Sequence, residues 1–250
     1  MTTFDTGKVL LGEGGPTSQG SHNTGLLMRC PKLYQFWTIR KIRTPGVQTP
    51  SHFARGILFT AMRARWFACK FDSSEKTWRR IKKACQAETQ RLNLPVDPRD
   101  EQYALWLMAQ YMDFWLKRPR PTPIAAEYPL AAVLTEKKSL LLDRTGKLDD
   151  LSRYPEAGGA LCIGEAKTTS GDIGTCVREY EFHVQTLQYQ LLYKLDPTGE
   201  KRYGPVAGTV LDVVKKDDKR PQFQRVFIEI RPEQVAQFRG DLLEYVKLAR

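Results

Sequence analysis

The segment Arg118-Pro-Arg-Pro-Thr-Pro123 divides the chain into two unlike halves. A proline inside a helix removes a backbone hydrogen bond and clashes with the preceding turn, so no helix runs through it. Before it, three stretches carry helical spacing of apolar residues: Phe53–Lys70, Ser73–Leu92 and Pro98–Lys117. Ser73 or Ser74 suits the N-cap of the second, and Pro98 with its following acids opens the third. Trp66, Trp78, Trp106 and Trp115 fit helix packing. After it the pattern changes to strands over 124–134, 138–154, 160–169, 206–214 and 223–230. An amphipathic helix over 176–195 and a closing helix over 231–249 interrupt and end that series. Turns are expected at Thr145-Gly146 and Glu156–Gly159. The order gives an α/β or α+β fold, a sheet flanked by helices with a helical region in front. The expected organisation is a partly flexible stretch, 1–24, and one domain, 25–250, with a helical lobe at about 53–118.

One strand ends oddly. The segment "ALCIGEAKTT" starts apolar, then sets Glu165 and Lys167 two residues apart, on one face of a strand. If "PEAGG" turns a hairpin centred near Ala157, Asp149 falls opposite Glu165; a slip of one residue substitutes Asp150. Directly opposed carboxylates repel unless something positive lies between them. A hard divalent cation such as Mg²⁺ or Mn²⁺ resolves that conflict.

Composition narrows the field. Thirty-nine Lys and Arg against 28 Asp and Glu leave a formal charge of +11, which suits a polyanionic partner. The run Arg63, Arg65, Lys70, Lys76, Arg79, Arg80, Lys82, Lys83 suits phosphate contacts, which need positive charge but no particular sequence. The five cysteines have no CxxC spacing and the three histidines fall in no zinc pattern. With no secretory-type N-terminus and no apolar run near the ~18 residues of a membrane span, the expectation is a reducing, intracellular setting without a membrane. No P-loop or GxSxG elbow is present.

"GKLDDL" followed by "CIGEAKTT" resembles the core of the PD-(D/E)xK nucleases, in the RecB-type branch that includes phage and CRISPR-associated exonucleases. Further segments resemble that branch in its order: "RCPKLY" at 29–34, "RGILFTAMRA" from Arg55, "AAEYPL" with Glu127, and "QTLQY" from Gln185 to Tyr189. The resemblance implies a restriction-endonuclease-like mixed sheet and a metal-dependent deoxyribonuclease. Its substrate would be single-stranded DNA or duplex ends, in recombination, repair or replication, with a protein of those processes as a partner. It implies Asp149 and Glu165 as ligands of Mg²⁺ or Mn²⁺, with the Ala166 carbonyl, and Glu127 as a ligand or a support behind one. Lys167 would act on the attacking water, and Gln185 and Tyr189 would contact the nucleic acid. Arg63, Arg79, Arg80, Lys82 and Lys83 would serve as the phosphate track.

Two departures from the pattern carry consequences. Many members have a metal-binding histidine four residues after the helix glycine, where this chain has Thr60. Some hold an iron–sulfur cluster through one early and three late cysteines, and here no cysteine follows Cys176, so no cluster is expected. An alternative to a nuclease is a catalytically weak DNA-binding or recombination-accessory module on the same fold.

Overall fold

The structure is a computed structural model that describes residues 8–9, 27–30, 51–91, 96–136, 140–196 and 198–248. The expected N-terminal stretch, apart from 8–9, and residues 31–34 of the Cys-Pro motif lie outside the described residues.

Among the described residues, the long helices α1 (Ser51–Ala68), α2 (Glu75–Arg91) and α3 (Pro98–Leu116) come before the main run of strands. Ser74 caps α2, its hydroxyl oxygen accepting from the Thr77 backbone N–H at 3.3 Å. Asp97 caps α3 in the same way at the Arg99 N–H, and Pro98 fills the first helical position, where no donor is needed. Leu58, Phe59, Met62 and Trp66 of α1 meet Ile81 of α2 and Leu107, Tyr111 and Trp115 of α3 in one core. The same core takes in Cys162, Val210 and Val214 from one face of the sheet, so the helical lobe has no separate interior.

The sheet is mixed and six-stranded, built of β1 (Lys8–Val9), β2 (Thr122–Glu136), β3 (Leu140–Arg153), β4 (Leu161–Thr169), β5 (Gly208–Lys215) and β6 (Gln222–Glu229). β2 runs antiparallel along all of β3, and β1 adds two parallel pairs at the start of β3. β3 and β4 are antiparallel, β4 and β5 parallel, β5 and β6 antiparallel. The parallel pair requires a crossover, supplied by α4 (Ile173–Glu181), α5 (Val184–Leu195) and α6 (Gly199–Tyr203). With α7 (Pro232–Leu248), α4 and α5 cover the face opposite the lobe, burying Leu211, Val213 and Ile228. The result is a mixed α/β architecture, helices on both faces of a mixed sheet, with the helical region first.

Two local expectations are corrected. Thr145-Gly146 is not a turn: β3 passes through it, paired to Ala131 and Leu130. Gly146 is needed there because the Tyr189 ring lies over it, and an added Cβ would sit 2.8 Å from that ring. The single helix expected over 176–195 is two, broken at Phe182-His183. His183 ends the break as an N-cap, its Nδ1 accepting from the Gln185 N–H at 3.2 Å. The turn at Glu156–Gly159 is present as the short 3-10 helix Pro155–Ala157 followed by Gly158 and Gly159 at φ +63° and +83°, where only glycine sits without strain.

Candidate active site at the fork between two strands

β3 and β4 stay paired only from Arg153↔Leu161 to Asp150↔Gly164. Beyond that pair they part, and Asp149 and Glu165 stand at the fork, one step further along the same register. The Asp149 Oδ2 accepts the Ala166 N–H at 2.8 Å, closing the fork with a side chain where the ladder ends. The alternative partner, Asp150, points to the other face and is fully buried. On the far side of β3, Ala126↔Asp150 and Tyr128↔Leu148 flank Glu127, so Glu127, Asp149 and Glu165 form one row across three strands.

Glu165 is out of water: its side chain is 3% exposed. Its Oε1 lies 2.5 Å from the Lys167 ammonium and 2.5 Å from the Gln185 amide nitrogen, while Oε2 is buried with no hydrogen-bond partner. Burial pushes its carboxyl up from the usual 4.5 to about 7, against the pull of Lys167. Asp149 is also raised, first by burial, with Lys167, Arg63 and the Ala166 N–H acting against it. Lys167 responds oppositely. Burial works to lower its ammonium, but attraction to Glu165, then Tyr180 and Asp149, outweighs that and holds it above its ordinary range. Gln185 joins the two charges, accepting from Lys167 at 2.9 Å and donating to Glu165 and, at 3.2 Å, to the Tyr189 hydroxyl.

A cleft of about 440 Å³ opens on this group. One wall is Gly56, Thr60 and Ala64, four residues apart along α1; the other holds Lys147, Asp149, Ala166 and Lys167, with Tyr180 and Lys216 at its margins. At Gly56 α1 passes close to β4, since a Cβ there would meet the Thr168 hydroxyl at 2.7 Å. Glu127 lines the cleft too, but at φ +51° its backbone is in the left-handed region, which costs a non-glycine residue of order 1 kcal/mol or more. Its carboxylate pairs with Lys147 at 2.5 Å.

The expected site residues therefore separate into groups. Asp149, Glu165, Lys167 and Gln185 come together, and Ala166 is bonded to them. Tyr189 is buried, 8% exposed, and holds Gln185 from behind instead of facing the cleft. Arg63 is corrected outright: it has no exposed surface and cannot be part of a phosphate track. Its guanidinium is bound to Asp150 at 3.0 Å and to Asp212 at 3.1 Å, in a buried network with Arg225, Tyr111 and Tyr154. Arg79, Arg80, Lys82 and Lys83 are exposed on α2. They do not line the cleft, whose lining from that helix is Glu88. The side chain of His52 lies outside the described residues.

Sequence reasoning missed the cleft lysines Lys147 and Lys216, Tyr180, and the Asp212–Arg225 pair. Only Asp212 left a signal, a lone acid in the apolar run "GTVLDVV". Among the described residues, no group of three or more His, Cys, Asp or Glu side chains converges as a metal cage. None of the five cysteines is in a disulfide. Among the described residues no helix is long and apolar enough to cross a membrane.

No protein-family model matches the sequence, and no curated protein matches it. A solved structure described as "Crystal structure of SSO0001" aligns over 90% of this chain and 85% of that chain, with a TM-score of 0.36 and 11% identity.

Proposed function

We propose that the protein is a Mg²⁺- or Mn²⁺-dependent deoxyribonuclease of the PD-(D/E)xK type, hydrolysing phosphodiester bonds at strand ends or in single strands. The observation that carries this reading is the Glu165 Oε2: a buried carboxylate oxygen without a partner, across the fork from Asp149, which lines the cleft. The buried Glu165 and the half-buried Asp149 are both raised by desolvation even with Lys167 beside them, which suits a further cation supplied from outside. The donors are all oxygen, which fits a hard divalent ion.

Asp149 and Glu165 would hold the ion with the Ala166 carbonyl, and Glu127, in the same row, is the reserve ligand. When bound, such an ion lowers the pKa of a water and offsets charge on the scissile phosphate. Lys167 is held protonated, so it donates: it orients the attacking water and neutralises the oxygens of the phosphate as negative charge builds on them. Gln185 fixes the distance between Glu165 and Lys167, and Tyr189 fixes Gln185. Lys147 and Lys216 on the cleft lining offer cations to a phosphodiester strand, against the acids Glu88, Glu127 and Asp149 of the same lining, with Lys147 paired to Glu127.

The deciding experiment is cleavage of end-labelled DNA with Mg²⁺, Mn²⁺ or EDTA by wild type, Asp149→Ala and Glu165→Ala. Metal-dependent cleavage by wild type alone, with both variants folded by circular dichroism, supports the reading. A Mn²⁺-soaked crystal without density within ~2.5 Å of either carboxylate contradicts it. A DNA-binding module without activity is favoured by one observation, the absence of a three-carboxylate cage among the described residues, with Thr60 on the cleft wall. DNA binding with no cleavage in either metal selects it.

A further inference from the structure

Among the described residues, the large apolar side chains left exposed are Phe182, at 69%, and Leu195, at 38%. Phe182 stands at the corner between α4 and α5, flanked by exposed Glu181 and His183. The corner is held firmly from beneath. The Tyr180 carbonyl accepts from the Phe182 N–H, from the His183 N–H at 3.3 Å and from the Thr186 hydroxyl at 3.0 Å. Thr186 is 2% exposed, so this anchor is out of water. A rigid corner that holds a phenyl ring in solvent pays hydration for no contact of its own.

The position of the corner gives the ring a use. Two residues earlier, Tyr180 lines the cleft, and the Lys167 ammonium lies 5.1 Å from the centre of its ring. On the other side, the His183 ring lies 4.5 Å from that of Tyr180 at 31°, so two aromatic rings lead from the reacting lysine to the corner. A cleft that bears Lys147, Lys167 and Lys216, with an exposed phenyl ring two residues beyond its Tyr180 lining, suits a single strand. Cations take the backbone, and a ring face takes a base regardless of its identity. In a duplex the bases are already stacked and their faces are not available.

We infer that Phe182 is the stacking platform for an unpaired base of the strand whose backbone lies in the cleft. This makes the substrate single-stranded at the point where it leaves the site, and it rests on the nuclease reading above.

The test measures binding in EDTA to three labelled probes: an oligo-dT strand of about 15 nucleotides, a duplex of equal length, and the same strand with its bases removed. Phe182→Ala weakens oligo-dT binding by about 10-fold, the loss expected for one base–aromatic stack, and leaves duplex and abasic binding unchanged. Phe182→Trp restores oligo-dT binding. Equal losses on all three probes, no loss on any, or a loss that persists in Phe182→Trp overturns the inference. So does a change from dimer to monomer in sedimentation of Phe182→Ala, which would assign the ring to a second copy of the chain. Wild type that cleaves DNA while Phe182→Ala binds all probes normally removes the inference alone. Wild type that binds no probe removes it together with the nuclease reading.

Discussion

Gly164 and Asp150 face each other across the β3–β4 pair, and the side chain missing at 164 is the space that the Asp150 carboxylate fills. A methyl group there would overlap Asp150 and the Tyr154 hydroxyl, which are bonded at 2.8 Å. The same carboxylate takes the Ser152 hydroxyl at 2.7 Å and Arg63 at 3.0 Å. Gly164→Ala must push Asp150 off Arg63 and leave buried charges unpaired. We expect a loss of about 3–5 kcal/mol in denaturant unfolding, the range for breaking a buried ion pair. A loss below 1 kcal/mol would mean that the network is not held by that gap.

Lys167 separates catalysis from binding. Its ammonium contacts Glu165 and Gln185, so it contributes to charge arrangement at the reacting phosphate more than to holding DNA. Lys167→Ala should slow single-turnover cleavage by ~100-fold or more while DNA affinity changes little. Cleavage that survives unchanged in this variant removes Lys167 from the chemistry.

Glu165 makes the metal-free protein sensitive to pH in a stated direction. Its carboxyl titrates at 4.5 when unperturbed and at about 7 in the fold. Between those values the folded chain keeps a proton that the unfolded chain has released. Stability contributed by Glu165 therefore falls as pH rises from about 4.5 to about 7, by on the order of 3 kcal/mol in all. In EDTA, Glu165→Gln should flatten that slope. Because a cation needs the ionised acid, Mn²⁺ affinity should climb over the same window and level off above it. Calorimetric Mn²⁺ titrations showing equal affinity at pH 5.5 and pH 8 would refute the second half.

Arg63 and the α2 cations make opposite predictions, although the sequence presents them as one basic run. Arg63→Ala leaves Asp150 buried without its cation and Asp212 with Arg225 alone, and should cost about 3–5 kcal/mol of stability. Removing Arg79, Arg80, Lys82 and Lys83 together should leave the melting temperature almost unchanged, since all four are exposed. If α2 carries phosphates, DNA affinity and its dependence on salt should both decrease, by up to ~0.9 in the log–log slope per lost contact. An unchanged salt slope would take α2 out of the DNA path.

What was legible in the sequence was local. The turn residues Pro155–Gly159 locate the centre of the hairpin, and the pairing Asp150↔Gly164 follows from it with Asp149 and Glu165 one step on. The proline-rich divide and the three helices before it were equally local. What escaped depended on partners far along the chain. Gly146 reads as a turn until Tyr189 is placed over it, and a basic residue such as Arg63 looks like its exposed neighbours until α1 is docked on Asp150 and Asp212. The break at Phe182-His183 contains no glycine or proline, and histidine is an uncommon N-cap, so the helical period ran through it unmarked.

Arg63 is one side chain of α1 that grips two strands at once, Asp150 on β3 and Asp212 on β5, with all three shut off from bulk solvent. Lifting α1 away from the sheet would pull a buried guanidinium from both acids, so the two sides of the cleft are tied together. The gap between Thr60 and Lys167 is then a fixed slot, not a jaw. Its width is set by the fold and not by what enters it.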